Sequence, residues 1–178
     1  DGRLNDIRGF HVREEHVREA LRLAEEGSPD FEEGAVGAGT GMCCLGFKGG
    51  IGSASRCVEL DGSEYTIGAL VLSNFGEEGN LVIGGRHYGS ELLPKVKERL
   101  KSDIDSSLEK DKGSIIMLIA TDIPMSSRQL ERVANRAAIA LGRTGSYMGN
   151  GSGDIAIAFS TANRMPHYSE QSLLEMKV

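Results

Sequence analysis

Hydrophobic positions along the chain change repeatedly between helical and strand spacing. Residues 14–26 carry apolar side chains three and four positions apart with Glu and Arg between them, which predicts a surface helix that ends at Gly27. A second helix is expected roughly over residues 91–108. A third begins at Ser126, where Ser126 and Gln129 fit a capping box that precedes a stripe of valine, leucine and alanine.

Between these helices, short segments rich in apolar residues predict β-strands. Asp61-Gly62 separates the first two and readily forms a type I′ turn, so these two are expected to pair as an antiparallel hairpin. The continuous apolar run at 114–120 is expected to be a central strand. The expected strands cover residues 53–60, 65–72, 81–83, 114–120 and 154–160. Strands and helices in this order predict an α/β or α+β sandwich in which residues 1–178 form a single domain.

Composition excludes several classes of function. The formal net charge of -6 and the pI near 5.3 argue against a nucleic-acid partner, because phosphate backbones are bound by clustered Lys and Arg. The apolar runs are far shorter than the ~20 residues of a membrane span, so no membrane association is expected. The first residues have neither an initiating Met nor an apolar leader, which suggests that the sequence is part of a longer chain.

Cysteine and histidine spacing gives no sign of a metal site or a cofactor. Cys43, Cys44 and Cys57 lack the Cys-x-x-Cys pattern of zinc and redox sites, and the four histidines are scattered. We therefore expect no metal, no cofactor and buried free thiols. Free thiols are typical of a reducing compartment, which favours a cytoplasmic location.

The chemically suggestive segment is Gly-Asn-Gly-Ser-Gly-Asp at residues 149–154. It places Ser152 between glycines, directly before a predicted strand. A serine hydroxyl is a weak nucleophile unless a base removes its proton, and one solution is a serine at a chain terminus beside its own α-amine. That terminus would require cleavage of the Gly151–Ser152 bond, and glycine leaves its carbonyl uncrowded. Taken alone, however, the segment is more typical of a turn that begins a strand.

A resemblance along much of the chain favours the chemical interpretation. Residues 149–161, with the sequence Gly-Asn-Gly-Ser-Gly-Asp-Ile-Ala-Ile-Ala-Phe-Ser-Thr, resemble the cleavage-site signature of the DmpA-type L-aminopeptidase/D-esterases and β-peptidyl aminopeptidases. Further blocks resemble that family in the family's own order, at residues 4–9, 36–42, 47–52 and 65–70. Several ordered matches arise by chance much less readily than one glycine-rich hexamer.

The resemblance implies a fold and an activity. It implies the DOM-type, N-terminal-nucleophile-like αββα sandwich, self-cleavage between residues 151 and 152, and hydrolysis of N-terminal residues from small peptides, aminoacyl amides or esters. It also implies a homo-oligomer, expected to be a tetramer. The family extends beyond both ends of this sequence, so residues that support the nucleophile are expected outside it.

The resemblance and the loop positions together give a set of expected site residues. Ser152 corresponds to the family's nucleophile, and Gly151 supplies the carbonyl that is cut. Asn74, after a predicted strand, is a possible oxyanion donor or simply a turn residue. Four further polar residues are expected to bind substrate, although each also has a plain structural interpretation: Asn5, Asp6, Lys48 and Asp122.

Two other functions remain open at this point. An amine acetyltransferase on a related self-processing fold would resolve the acyl-enzyme with an amine instead of water. A non-enzymatic alternative is a phosphate- or nucleotide-binding module built on the glycine-rich residues 37–41, whose backbone N–H groups would hold an anion. Met42 stands where a third glycine of the dinucleotide motif belongs, which weakens this alternative.

Overall fold

The computed structural model describes residues 2, 4–27, 30–99, 113–168, 172–173 and 175–177. Three α-helices lie in this part of the chain: α1 (Glu14–Glu26), α2 (Gly89–Arg99) and α3 (Ser127–Thr144). The strands are β1 (Cys43–Cys44), β2 (Phe47–Lys48), β3 (Gly50–Leu60), β4 (Ser63–Asn74), β5 (Val82–Ile83), β6 (Arg86–His87), β7 (Ser114–Thr121) and β8 (Ile155–Ser160). The mixed α/β class expected from the sequence is confirmed.

A four-stranded sheet in the order β3-β4-β7-β8 forms the centre of the structure. β3 and β4 pair as the predicted hairpin, and Asp61 and Gly62 have the positive φ angles, 51° and 76°, that a type I′ turn needs. β4 pairs antiparallel with β7, whereas β7 and β8 are parallel. A parallel pair needs a crossover connection, and α3 provides it. β7 is therefore a central strand, as its apolar run predicts.

α3 covers one face of this sheet. Its N-terminus is closed by the predicted capping box, in which the Ser126 N–H donates to Gln129 Oε1 at 2.8 Å. Gly145, with φ 109°, ends the helix in the left-handed region. Buried side chains of the helix, the sheet and two loops form the core: Leu45, Phe75, Ile115, Met117, Ala137 and Leu141.

The opposite face of the sheet is apolar and exposed. Along β8, Ile155, Ile157 and Phe159 alternate with Ala156 and Ala158, and the three larger side chains point away from α3 with exposures of 46–51%. In register with them stand further large aliphatic side chains of β7 and β4: Ile116, Leu118, Leu70 and Leu72. We call this set of side chains the open face.

Some local expectations need correction. The strand expected at 81–83 is the two-residue β5, which pairs with β6 outside the main sheet. The helix expected over residues 91–108 begins at Gly89, and its residues 100–108 lie outside the described residues. The expectation of buried thiols is wrong for Cys43 and Cys57, which are free but exposed. Cys44 is half-buried, and burial raises the pKa of its thiol.

Candidate active site

Ser152 lies in a tight turn just before β8. Its backbone N–H donates to the Gly149 carbonyl at 3.1 Å, which closes the turn around the Gly151–Ser152 peptide bond. The Ser152 hydroxyl donates to Asp154 Oδ1 at 2.6 Å. This is a short bond with a carboxylate acceptor, which is the stronger kind of hydrogen bond. The structure therefore directs the hydroxyl of Ser152 at a group that can accept its proton.

Ser114, the first residue of β7, holds the next residue of the turn. The Gly153 N–H donates to Ser114 Oγ at 3.2 Å, and the Ser114 hydroxyl in turn donates to the Gly113 carbonyl at 2.7 Å. Neither Ser114 nor Asp154 was among the residues expected from the sequence. The signal for Asp154 was present in the Ser-Gly-Asp spacing, because residues two apart in extended chain lie on the same side. Ser114 carried no comparable signal.

Asn74 is the last residue of β4 and lies at the same end of the sheet as Ser152. It pairs in register with Ser114, and its Oδ1 accepts the backbone N–H of Cys43 at 3.0 Å. The side-chain oxygen is thereby occupied, and the amide nitrogen is left as the donor. β7 lies between β4 and the chain that leads into β8, so two strand spacings, roughly 10 Å, separate Asn74 from Gly153. The structure thus places Asn74 at the end of the sheet where Ser152 lies, without direct contact between the two.

Lys48 holds the glycine-rich loops together. Its Nζ donates to three backbone carbonyls, those of Gly39 at 2.7 Å, Gly49 at 2.8 Å and Met42 at 3.0 Å. An ammonium has three donors, so this set uses all of them. The carbonyls of the loop converge on a cation. Such an arrangement is the opposite of the inward-facing N–H groups that a phosphate site requires.

We expect Lys48→Met to destabilise the fold, because it keeps most of the aliphatic stem but removes the ammonium from three carbonyls. The expected loss is roughly 1–3 kcal/mol of unfolding free energy, measured as a lower melting temperature. Lys95→Met, at an exposed position of α2, is the matched control and should leave the melting temperature nearly unchanged. Equal melting temperatures for the two variants would show that the three bonds do not stabilise the loops.

The other expected substrate-binding residues make no described hydrogen bond to Ser152. Asp122 follows β7 at the opposite end of the sheet, where its Oδ1 accepts the Thr66 N–H at 2.7 Å. Asn5 and Asp6 belong to the exposed N-terminal segment, in which Asp6 accepts from the Arg8 N–H and contacts His11. The structure separates Asp122 from the serine, and the binding roles of all three residues stay predictions.

A small cavity of about 210 Å³ lies beside Asp154, between α3 and the sheet. It is lined mainly by apolar side chains, among them Met117, Leu141 and Met148, together with Asn135. Asp154 is the only charged residue among the described residues of this lining.

Among all the residues that the structure describes, no three His, Cys, Asp or Glu side chains converge as a metal site would require. No helix in those residues is long and apolar enough to cross a membrane.

Among solved structures with the same fold are enzymes whose activity is known. The chain superposes with a TM-score of 0.79 on the L-aminopeptidase D-Ala-esterase/amidase of Ochrobactrum anthropi, with 44% identity over 99% of this chain and 45% of that one. That enzyme is described as a prototype of the serine aminopeptidases and as a variant of the Ntn hydrolase fold. A protein of Pyrococcus horikoshii gives a TM-score of 0.80, with 54% identity over 99% of this chain and 44% of its own. The fold is therefore that of an Ntn hydrolase.

The sequence comparisons then give the family. The model of peptidase family S58 matches residues 1–178, and the chain belongs to that family. It is 49% identical over 168 residues to the β-peptidyl aminopeptidase BapA of Sphingosinicella microcystinivorans, a match that covers 92% of this chain and 42% of that protein. The chain thus spans less than half the length of the curated relatives it matches. These findings do not favour the acetyltransferase or the nucleotide-binding alternative.

Proposed function

We propose that the protein containing this chain is a self-processing serine aminopeptidase. The observation that carries the proposal is the placement of Ser152, in a glycine turn before β8 with its hydroxyl on the Asp154 carboxylate. Membership of peptidase family S58 supports it. Attack of Ser152 on the Gly151 carbonyl would free the serine as a new chain terminus.

In the cleaved enzyme, the α-amine of Ser152 serves as the base for its own hydroxyl. An α-amine has a pKa of about 7.7–8.0, so roughly a tenth to a sixth of it is unprotonated at pH 7, and this fraction rises with pH. The hydroxyl then attacks the carbonyl of a substrate's N-terminal residue, the amine or alcohol leaves, and water hydrolyses the acyl-enzyme. Asn74 is the proposed oxyanion donor, because Cys43 fixes its oxygen and leaves its amide nitrogen to donate.

The proposed substrates are small peptides, aminoacyl amides and esters with a free amine. They follow from the relatives, which are described as β-peptidyl aminopeptidases and as an L-aminopeptidase D-Ala-esterase/amidase. Assembly into a homo-oligomer, a tetramer by resemblance, and a cytoplasmic location belong to the same proposal. So does the covering of the open face by a second sheet of the αββα sandwich, contributed by a longer chain.

Intact-mass analysis of the full-length wild-type protein tests self-processing. We expect two polypeptides after denaturation, with the N-terminus of the second at Ser152, and release of amine from a panel of L-, D- and β-aminoacyl amides. The same panel with an added amino-acid acceptor measures acyl transfer, and hydrolysis should dominate. A single uncut polypeptide without amidase activity would contradict the proposal.

A further inference from the structure

The base of the cleaved enzyme does not exist before cleavage. In the uncut chain, the nitrogen of Ser152 is part of a peptide bond, whose lone pair is delocalised and whose N–H donates to the Gly149 carbonyl at 3.1 Å. It cannot accept the proton of the Ser152 hydroxyl. If the proposed self-cleavage takes place, another group must accept that proton in the precursor.

We infer that Asp154 is the base that activates Ser152 for self-cleavage, and that the newly freed α-amine takes over this task in the cleaved enzyme. The inference rests on the proposed function and extends it. Asp154 Oδ1 already accepts the Ser152 hydroxyl at 2.6 Å, so the proton has a direct path to the carboxylate.

The surroundings of Asp154 suit this role. The residue is half-buried at the wall of the small cavity, and its described neighbours there are apolar apart from Asn135. No other charged side chain among the described residues of the cavity competes for the carboxylate. The Gly153 N–H is held by Ser114 Oγ, which fixes the backbone between the serine and the aspartate.

The reaction balances without any further reactant except water. Ser152 Oγ bonds to the Gly151 carbonyl carbon while its proton moves to Asp154. The tetrahedral intermediate then collapses with rupture of the carbon–nitrogen bond, and Asp154 returns the proton to the departing Ser152 nitrogen. The product is an ester of Gly151 on Ser152 Oγ. Water hydrolyses that ester, which leaves a Gly151 carboxylate, a free hydroxyl and a free amine.

The test compares Asp154→Asn with wild type in the full-length protein. Asparagine is similar in size and its oxygen can accept the same hydrogen bond, but it cannot take the proton. We expect self-cleavage to slow by about 10²–10⁴-fold, measured by denaturing electrophoresis and intact mass over time. Asp61→Asn is the matched control: the change is identical, lies in the exposed β3–β4 turn and suits the positive φ there. It should cleave at the wild-type rate.

A second form of the protein, made as two polypeptides, separates the role of Asp154 in self-cleavage from any role in substrate hydrolysis. The protein is expressed as two polypeptides, one ending at Gly151 and the other beginning with Met before Ser152, which the host's methionine aminopeptidase removes. In this format no self-cleavage is needed. In this format the Asp154→Asn form should lose much less of its hydrolysis of aminoacyl amides than the single chain loses in cleavage rate, because the α-amine takes the proton of the Ser152 hydroxyl there. A melting temperature close to that of the wild-type sequence in the same format shows that the variant folds.

Three outcomes decide the matter. Slow cleavage of the single chain with restored activity of the two-polypeptide form supports the inference. Cleavage of the Asp154→Asn single chain at the wild-type rate overturns it, and so does loss of activity in both formats, because Asp154 would then not be specific to processing. Failure of the wild-type protein to cleave would instead contradict the proposed function itself.

Discussion

Replacing Ser152 by alanine in the full-length protein is expected to abolish both self-cleavage and hydrolysis. The single hydroxyl is the proposed nucleophile of each reaction, and it is the group that donates to Asp154 in the structure. Removal of a nucleophile that acts in concert with its base costs at least about 10³-fold in rate. Intact mass should show one uncut polypeptide, and the release of amine from aminoacyl amides should fall to background.

Ser160→Ala is the matched control for this experiment. Ser160 is the last residue of β8, the strand that follows Ser152, and it is also half-buried. Its hydroxyl donates to the Ile123 carbonyl at 2.7 Å, away from the turn that holds Ser152. Its loss should cost about 1 kcal/mol of stability and leave cleavage intact. A Ser152→Ala protein that still divides between residues 151 and 152 would rule out the serine as nucleophile.

The second large effect is expected from Gly50→Ala. Gly50 has φ 145°, and a Cβ built there would overlap the carbonyl oxygen of Gly34. That carbonyl accepts the Ile51 N–H at 3.0 Å, so the added methyl group would push apart a pair of segments joined by backbone hydrogen bonds. We expect a loss of roughly 2–5 kcal/mol and a melting temperature lower by about 10 °C, measured by thermal denaturation.

Gly52→Ala provides the comparison, because it makes the same change two residues along the same strand. The nearest atom to a Cβ at Gly52 is Val71 Cγ2 at 3.8 Å, which is ordinary van der Waals contact. This variant should be close to wild type in stability. If both variants melted alike, the close approach of Gly34 to Gly50 would not be what requires glycine.

Elements controlled by local interactions were predicted well from the sequence. α1 has the bounds that its apolar spacing indicates, and the Asp61-Gly62 turn and the Ser126 capping box form as expected. Each depends on residues within a few positions of one another, so the pattern contains the whole cause. The two-residue strands β1, β2 and β6 escaped prediction because they are too short to show a periodicity, and only their pairing defines them.

Local sequence pattern indicates the surroundings of Ser152 only where they are neighbours in sequence. Ser152 and Gly151 were proposed from the glycine turn and the family resemblance, and the Ser-Gly-Asp spacing could have added Asp154. Ser114 joins the site through the register of β7 and β8, which no local pattern specifies. The three hydrogen bonds of Lys48 likewise depend on how separate loops meet. The exposure of Cys43 and Cys57 is also a property of the tertiary arrangement.

The parallel pairing of β7 with β8 has a consequence for what the proposed cleavage would do to the molecule. β7 lies before the Gly151–Ser152 bond and β8 after it, and the two strands are in register from Ile116 opposite Ile155 to Thr121 opposite Ser160. Cutting the bond therefore leaves every hydrogen bond of this pair in place. The two products should travel as one particle through a native gel and separate only in denaturant, because the sheet joins them after the peptide bond has gone.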